Sequence, residues 1–163
     1  GYRLPAAILD LANRLLPEAA PTVTPAISVR EAGDPPEVLR VDCAVLVATV
    51  AAYATELAQT FMTTAVIAPN SMVESLVAEI AALGADYGGP ADSISRPLTI
   101  LAPELAKGLE FDAVIVVEPK QIVESNAQGT RLLFVALTRA VQHLAIAHSQ
   151  GLPSQFYDLD RPA

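Results

Sequence analysis

The sequence predicts a three-layer α/β domain, with helices flanking both faces of a mainly parallel sheet. Four short apolar runs, residues 64–68, 98–101, 113–117 and 144–147, lack the polar alternation of strands with one solvated face. Helical patterns separate most of these runs, and alternation of strands with helices favours right-handed parallel crossovers. In such sheets ligands usually gather at the carboxyl ends of the strands. The length of 163 residues fits one domain, or one piece of a larger protein.

Composition narrows the class of protein. Hydrophobic residues make up 52% of the chain, but the most suspicious apolar stretch, residues 43–55, is shorter than the roughly 20 residues that span a bilayer. The first residues carry no secretory signal, and the single cysteine, Cys43, cannot form an internal disulfide. We therefore expect a cytoplasmic protein without membrane contact. The net charge of −8 argues against wrapping a phosphate backbone by charge alone.

The amino-terminal part is predicted to contain two helices and two short strands. Pro5 suits a first helical turn, and apolar residues follow it at helical spacing: Ile8, Leu11, Ala12 and Leu15. Residues 17–37 are rich in Pro and Ala and predict a loop around one short strand near residues 27–30. A second short strand at residues 37–41 and a helix from about residue 44 to residue 59 follow.

The strongest local signal is a helix that begins near Ser71. Ser71 and Glu74 have the spacing of a capping box, and Gly84 is placed to end the helix. The apolar stripe between them consists of Met72, Leu76, Ile80 and Leu83. Residues 88–90, Gly-Gly-Pro, predict a second loop.

Four single residues have a structural interpretation. His143 and His148 flank a predicted strand with no cysteines or carboxylates clustered around them, so we predict no metal site. Cys43 borders an apolar run and is interpreted as a small core residue. Asp112 is expected to cap or border its strand.

Residues 106–117, A-K-G-L-E-F-D-A-V-I-V-V, form a charged, glycine-containing turn that leads into a buried strand. Gly108 allows a backbone to approach another group closely, and Glu110 lies at the lip of the sheet. An ordinary turn is the alternative interpretation.

Residues 130–142, T-R-L-L-F-V-A-L-T-R-A-V-Q, predict an amphipathic helix. Its apolar stripe consists of Leu133, Leu137 and Ala140, and its polar side consists of Arg131, Thr138, Arg139 and Gln142. A solvated polar face is one interpretation. The other is that a fixed guanidinium presents positive charge to a phosphoryl group.

The two segments resemble, in order and spacing, the fifth and sixth signature motifs of the UvrD/Rep-type superfamily-one helicases; the matching residues are A-K-G-L-E-F and L-F-V-A-L-T-R-A. Tyr2 and Arg3 are similar to the fourth motif, usually Asn-Tyr-Arg, with Gly1 in place of Asn. The three motifs cover nearly the full length. The resemblance implies that the chain is the second RecA-like domain, called 2A, of such a motor.

The resemblance also implies roles for single residues. Tyr2 would stack on the adenine base of ATP, and Arg3 and Arg139 would reach the γ-phosphate as arginine fingers. Glu110 would contact the ribose of the nucleotide, with Gly108 allowing the approach. Supporting positions in the motifs are Thr138 and Lys107.

The sequence contains neither a G-x-x-x-x-G-K-[ST] phosphate loop nor an apolar strand that ends in Asp-Glu. We therefore expect ATP and Mg²⁺ to be bound mainly by a first RecA-like domain elsewhere in a larger parent chain. The fragment alone is expected not to hydrolyse ATP.

Two departures from the family pattern suggest a branch. The fifth motif of DNA-translocating members usually reads T-x-H-x-A-K-G, but Ala102 stands at the Thr position and Glu104 at the His position. A carboxylate there repels a phosphate backbone. The chain also has no room for the inserted 2B domain of UvrD-type unwinding enzymes. In both respects it looks like the HelD-type ATPases, which bind bacterial RNA polymerase.

Three functional classes remain open at this point. The chain is part of a motor that acts on RNA polymerase, part of a UvrD/Rep-type translocase on single-stranded DNA, or a degenerate RecA-like interaction module. The joint presence of Tyr2, Arg3, Glu110 and Arg139 argues against the third class, because a scaffold has no need of two arginines aimed at one phosphate.

Overall fold

A computed structural model describes residues 4–26 and 33–160, and every strand pairing in it is parallel. The six strands lie in the order β1-β6-β5-β2-β4-β3. Their bounds are β1 (Glu37–Arg40), β2 (Thr64–Ile67), β3 (Tyr87–Gly88), β4 (Leu98–Leu101), β5 (Phe111–Val117) and β6 (Ala140–His148). The predicted α/β class is confirmed.

The described residues form six α-helices, which cover the two faces of the sheet. They are α1 (Ala6–Asn13), α2 (Leu16–Ala19), α3 (Leu46–Thr60), α4 (Asn70–Ala82), α5 (Pro119–Glu124) and α6 (Gly129–Leu137). Short 3₁₀ segments occur at Pro90–Asp92, Pro103–Leu105 and Ser154–Asp160. Within the described residues, no helix has the length and apolar character needed to cross a membrane.

The central strands are buried on both sides, which explains why their sequences lack polar alternation. In β5, Val114 and Val116 pack into a core with residues of α1, α5 and α6. Their neighbours Ile115 and Val117 pack into a second core with residues of α3 and α4. All four side chains are fully buried, so the chain forms the three layers that the sequence predicts.

The capping box predicted for α4 is wrong. The helix begins at Asn70 with Pro69 as its N-cap residue, and no side chain caps it. Ser71 therefore lies inside the first turn, where its hydroxyl cannot cap the helix that it belongs to. The predicted end is confirmed, because Gly84 has a left-handed φ of 76°.

Three smaller predictions also need correction. The loop predicted at residues 17–37 contains most of the short helix α2, and the loop at 88–90 overlaps β3, which pairs with β4. Cys43 is exposed rather than a core residue, because it lies in the turn before α3. The short strand predicted near residues 27–30 lies outside the described residues.

The helix predicted over residues 130–142 ends at Leu137. Thr138 and Arg139 form a turn, and β6 begins at Ala140, which pairs with Phe111. The helical stripe therefore stops at Leu137, and Ala140 is buried as a strand residue. Arg139 lies in the connection to β6 rather than on the polar side of a helix.

Candidate functional site

The starts of β5 and β6 bring the two motif segments together. Phe111 pairs with Ala140, and the backbone N–H of Phe111 donates a 2.9 Å hydrogen bond to the carbonyl oxygen of Arg139. Glu110 and Arg139 directly precede these two strands. They therefore lie at the amino edge of the sheet, opposite to the carboxyl edge where ligands of parallel sheets usually bind. Residues 107–110 together with Thr138 and Arg139 form the amino-edge site.

Hydrogen bonds from both motif segments hold the guanidinium of Arg139. Its Nε donates to the carbonyl oxygen of Val135 at 2.9 Å, and its Nη1 donates to that of Leu109 at 3.1 Å. Its Nη2 donates to the hydroxyl of Thr138 at 3.1 Å. These three hydrogen bonds tie the guanidinium to both motif segments and fix its position.

Thr138 supports this arrangement from the end of α6. Its side chain is buried, and its Oγ1 lies 2.9 Å from the carbonyl oxygen of Phe134 and 3.1 Å from that of Val135. The hydroxyl thus binds the last turn of the helix while it accepts the hydrogen bond from Arg139. The supporting role toward nucleotide predicted for Thr138 stays a prediction.

The exposed part of the amino-edge site is a tight turn that carries Lys107, Gly108 and Glu110. Gly108 has a φ of 83°, in the left-handed region that disfavours residues with a Cβ atom. A Cβ at this position would meet no atom within 4 Å, so the conformation rather than lack of space requires glycine. The turn presents one basic and one acidic side chain to solvent beside Arg139.

Tyr2 and Arg3 lie outside the described residues. The adenine contact predicted for Tyr2 and the second arginine finger predicted for Arg3 therefore stay predictions.

The first half of the fifth-motif segment, which contains Ala102 and Glu104, lies at the opposite, carboxyl edge of the sheet. Ala102 is buried directly after β4, and Glu104 is exposed in the 3₁₀ turn that follows. Glu104 borders a cavity of about 300 Å³ whose polar lining includes Ser71, Gln121 and Glu124. Its described lining residues include two carboxylates and no Lys or Arg. Such a lining disfavours a phosphate backbone.

Glu118 is a buried carboxylate at the carboxyl edge whose role sequence reasoning missed. It is 3% exposed and has a left-handed φ of 50°, uncommon for a residue with a side chain. Its Oε1 accepts the backbone N–H of Ser149 and its Oε2 accepts the hydroxyl of Ser149, both at 2.7 Å. The available sequence signal was a Glu-Pro pair directly after an apolar strand. The carboxylate joins the end of β5 to the end of β6.

The two histidines have protein partners on separate parts of the sheet. His148 is fully buried; its Nε2 lies 3.0 Å from Asp160, and its Nδ1 accepts the N–H of Gly151. His143 stacks on Phe61, and its Nε2 lies 3.0 Å from the hydroxyl of Tyr53. In the part of the chain that the structure describes, no cluster of three or more His, Cys, Asp or Glu residues could hold a metal ion.

A protein-family model matches the region of the sequence around the amino-edge site. The family model of the UvrD-like helicase C-terminal domain matches residues 104–147, about a quarter of the chain. The match spans Glu104, β5, α6 and most of β6, and therefore contains every described residue of the amino-edge site. No curated protein matches the chain.

Solved structures share the fold. The chain is similar to the C-terminal domain of a possible DNA helicase from Lactobacillus plantarum WCFS1, with 22% identity, a TM-score of 0.69, and coverage of 95% of this chain and 91% of that chain. It is also similar to the Sulfolobus solfataricus SWI2/SNF2 ATPase core in complex with dsDNA, with 13% identity, a TM-score of 0.53, and coverage of 70% and 27%. The arterivirus nonstructural protein 10 helicase in complex with DNA has 15% identity, a TM-score of 0.51, and coverage of 73% and 31%. The fold is that of helicase C-terminal RecA-like domains.

Proposed function

We propose that this chain is the second RecA-like domain of a helicase-like ATPase and supplies Arg139 to ATP bound on a first RecA-like domain. The observation that carries the proposal is the guanidinium held in place by hydrogen bonds to both motif segments. A positive charge fixed in position stabilises the charge that develops on a transferring phosphoryl group. Arg3 is proposed as the second finger.

The other site residues have proposed roles toward the same nucleotide. Tyr2 stacks on adenine, and Glu110 contacts the ribose beside the Gly108 turn. Thr138 holds Arg139 in place, and Lys107 supports the motif. ATP and Mg²⁺ are bound mainly by the first domain, since this sequence has no phosphate loop and no strand that ends in Asp-Glu.

The decisive experiment is Arg139→Ala in a protein that carries both RecA-like domains. We expect the kcat for ATP hydrolysis to fall about 10³-fold, as when arginine fingers are removed from other NTPases. Arg96→Ala is the matched control, because Arg96 is an exposed arginine that pairs with Asp86 and lies outside the motif segments. Circular dichroism melting must show that both variants fold. Turnover within a few-fold of the control would contradict the proposal.

For the partner, we propose RNA polymerase, as in HelD-type ATPases. The supporting observation is Glu104, exposed at a carboxylate-lined cavity where DNA-translocating relatives carry His. A UvrD/Rep-type translocase on single-stranded DNA is the second candidate. It is favoured by the family match and by the DNA bound to two proteins of similar fold.

Steady-state ATP turnover separates the two partners. The two-domain protein is assayed alone, with single-stranded DNA, and with core RNA polymerase. Turnover that responds to polymerase and ignores DNA supports the first candidate. Strong stimulation by DNA alone supports the second candidate and shows that Glu104 does not oppose the strand.

A further inference from the structure

The pairing between β5 and β6 is irregular beside Arg139. Phe111 pairs with Ala140, but the next pair joins Ala113 to His143. One residue separates the paired positions on β5, and two residues separate them on β6, so β6 contains a bulge at residues 141–142. Bulges bend a strand and redirect the side chains around them. This bulge lies two residues after Arg139.

Asp112 is the β5 residue opposite the bulge, and it contacts both neighbouring strands. Its Oδ1 accepts a hydrogen bond from Nε2 of Gln142 at 3.2 Å. Its Oδ2 accepts the backbone N–H of Thr63 at 3.3 Å, and its own N–H donates to the Thr63 hydroxyl at 3.0 Å. Asp112 therefore connects the bulge to the residue that precedes β2.

We propose that Asp112 is a positioning residue for Arg139 and acts through Gln142. The hydrogen bond to Gln142 keeps the extra residue of β6 in one place, and this sets where β6 begins. The start of β6 fixes the Arg139 backbone, whose carbonyl oxygen accepts the N–H of Phe111. Loss of this contact weakens the hold on the bulge, and the guanidinium moves away from the Leu109 carbonyl. The catalytic consequence rests on the proposed function.

The test exchanges the donor and the acceptor of the hydrogen bond. Gln142→Glu places two carboxylates against each other and removes the hydrogen bond. Adding Asp112→Asn restores it in reverse, because the new amide nitrogen donates to the new carboxylate while its oxygen still accepts from Thr63. Gln59→Glu is the matched control, since Gln59 is exposed near the end of α3 and the change adds the same charge.

The first measurement is hydrogen exchange of the Arg139 Nη1–H, which donates to the Leu109 carbonyl oxygen, by NMR on this chain. We expect Gln142→Glu to accelerate the exchange roughly five- to tenfold, the effect of losing about one hydrogen bond. The double variant should return the rate to within about twofold of the original chain, and Gln59→Glu should leave it unchanged. Equal rates in Gln142→Glu and Gln59→Glu, or no recovery in a double variant that melts normally, would overturn the proposal.

The second measurement is ATP turnover in the two-domain protein. Gln142→Glu is expected to lower kcat about 10- to 100-fold with little change in the KM for ATP, because it misplaces a group that acts in the transition state. The double variant should recover the kcat of the original protein. An Arg139→Ala variant with normal turnover would refute the proposed function, while the exchange rates would still decide the positioning of Arg139.

Discussion

At the amino edge of the sheet the key charged group is a guanidinium that donates hydrogen bonds to two segments, whereas at the carboxyl edge it is a carboxylate that accepts hydrogen bonds from one residue. Arg139 donates to two carbonyl oxygens and a hydroxyl. Glu118 accepts two hydrogen bonds from Ser149 in a buried position. The difference is that the amino edge fixes an arginine between the two motif segments, while the buried carboxylate of the carboxyl edge joins the ends of two strands.

The largest effect expected from testing this comparison is on stability at the carboxyl edge. Glu118→Ala should lower the free energy of unfolding by about 1–3 kcal/mol, because the backbone N–H of Ser149 loses its buried acceptor. Urea denaturation measures the change. Glu124→Ala, an exposed carboxylate of the same region, should stay within about 0.5 kcal/mol of the original chain. If both variants lose the same small amount, Glu118 is not a structural anion.

A smaller effect is expected in the turn of the amino-edge site. Gly108→Ala should destabilise the chain by about 1–2 kcal/mol, because alanine is strained at a left-handed φ. Gly89→Ala is the control, since Gly89 has an ordinary negative φ and equal free space around its Cα. Thermal melting of the two variants measures the difference. Equal melting temperatures would show that the turn relaxes without cost.

The smallest effect concerns the exposed carboxylate at the carboxyl edge. If single-stranded DNA crosses this edge, Glu104→Lys should strengthen DNA binding by the two-domain protein and steepen its salt dependence by about one phosphate contact. Fluorescence anisotropy over a series of salt concentrations measures both. Glu79→Lys, on an exposed position of α4, adds the same charge. Equal gains in the two variants would mean that net charge alone is responsible.

The sequence was sufficient to predict the sheet and the end of α4. The buried strands had no polar alternation because both of their faces are covered, and Gly84 has the left-handed conformation that ends α4. These features depend on patterns within a few neighbouring residues.

The features that the sequence did not predict depend on pairing between distant segments. Helical spacing of apolar residues continued from Leu133 to Ala140, but pairing of Ala140 with Phe111 ended the helix earlier. The bulge of β6 and the buried position of Glu118 likewise depend on neighbouring strands. Cys43 and Ser71 were misplaced because the start of a helix, which decides both positions, shifted by one or two residues.

Residues 102–110 connect the two edges through a single 3₁₀ turn, and Ala106 in their middle is fully buried. The segment begins at the cavity beside Glu104 and ends at the Leu109 carbonyl that binds Arg139. Thermodynamic linkage makes any coupling through it reciprocal. If nucleotide binding beside Arg139 changes the affinity for a partner at Glu104 by some factor, the partner must change the affinity for nucleotide by the same factor. Under the proposed function, a partner at Glu104 would therefore affect nucleotide binding as strongly as nucleotide affects the binding of the partner.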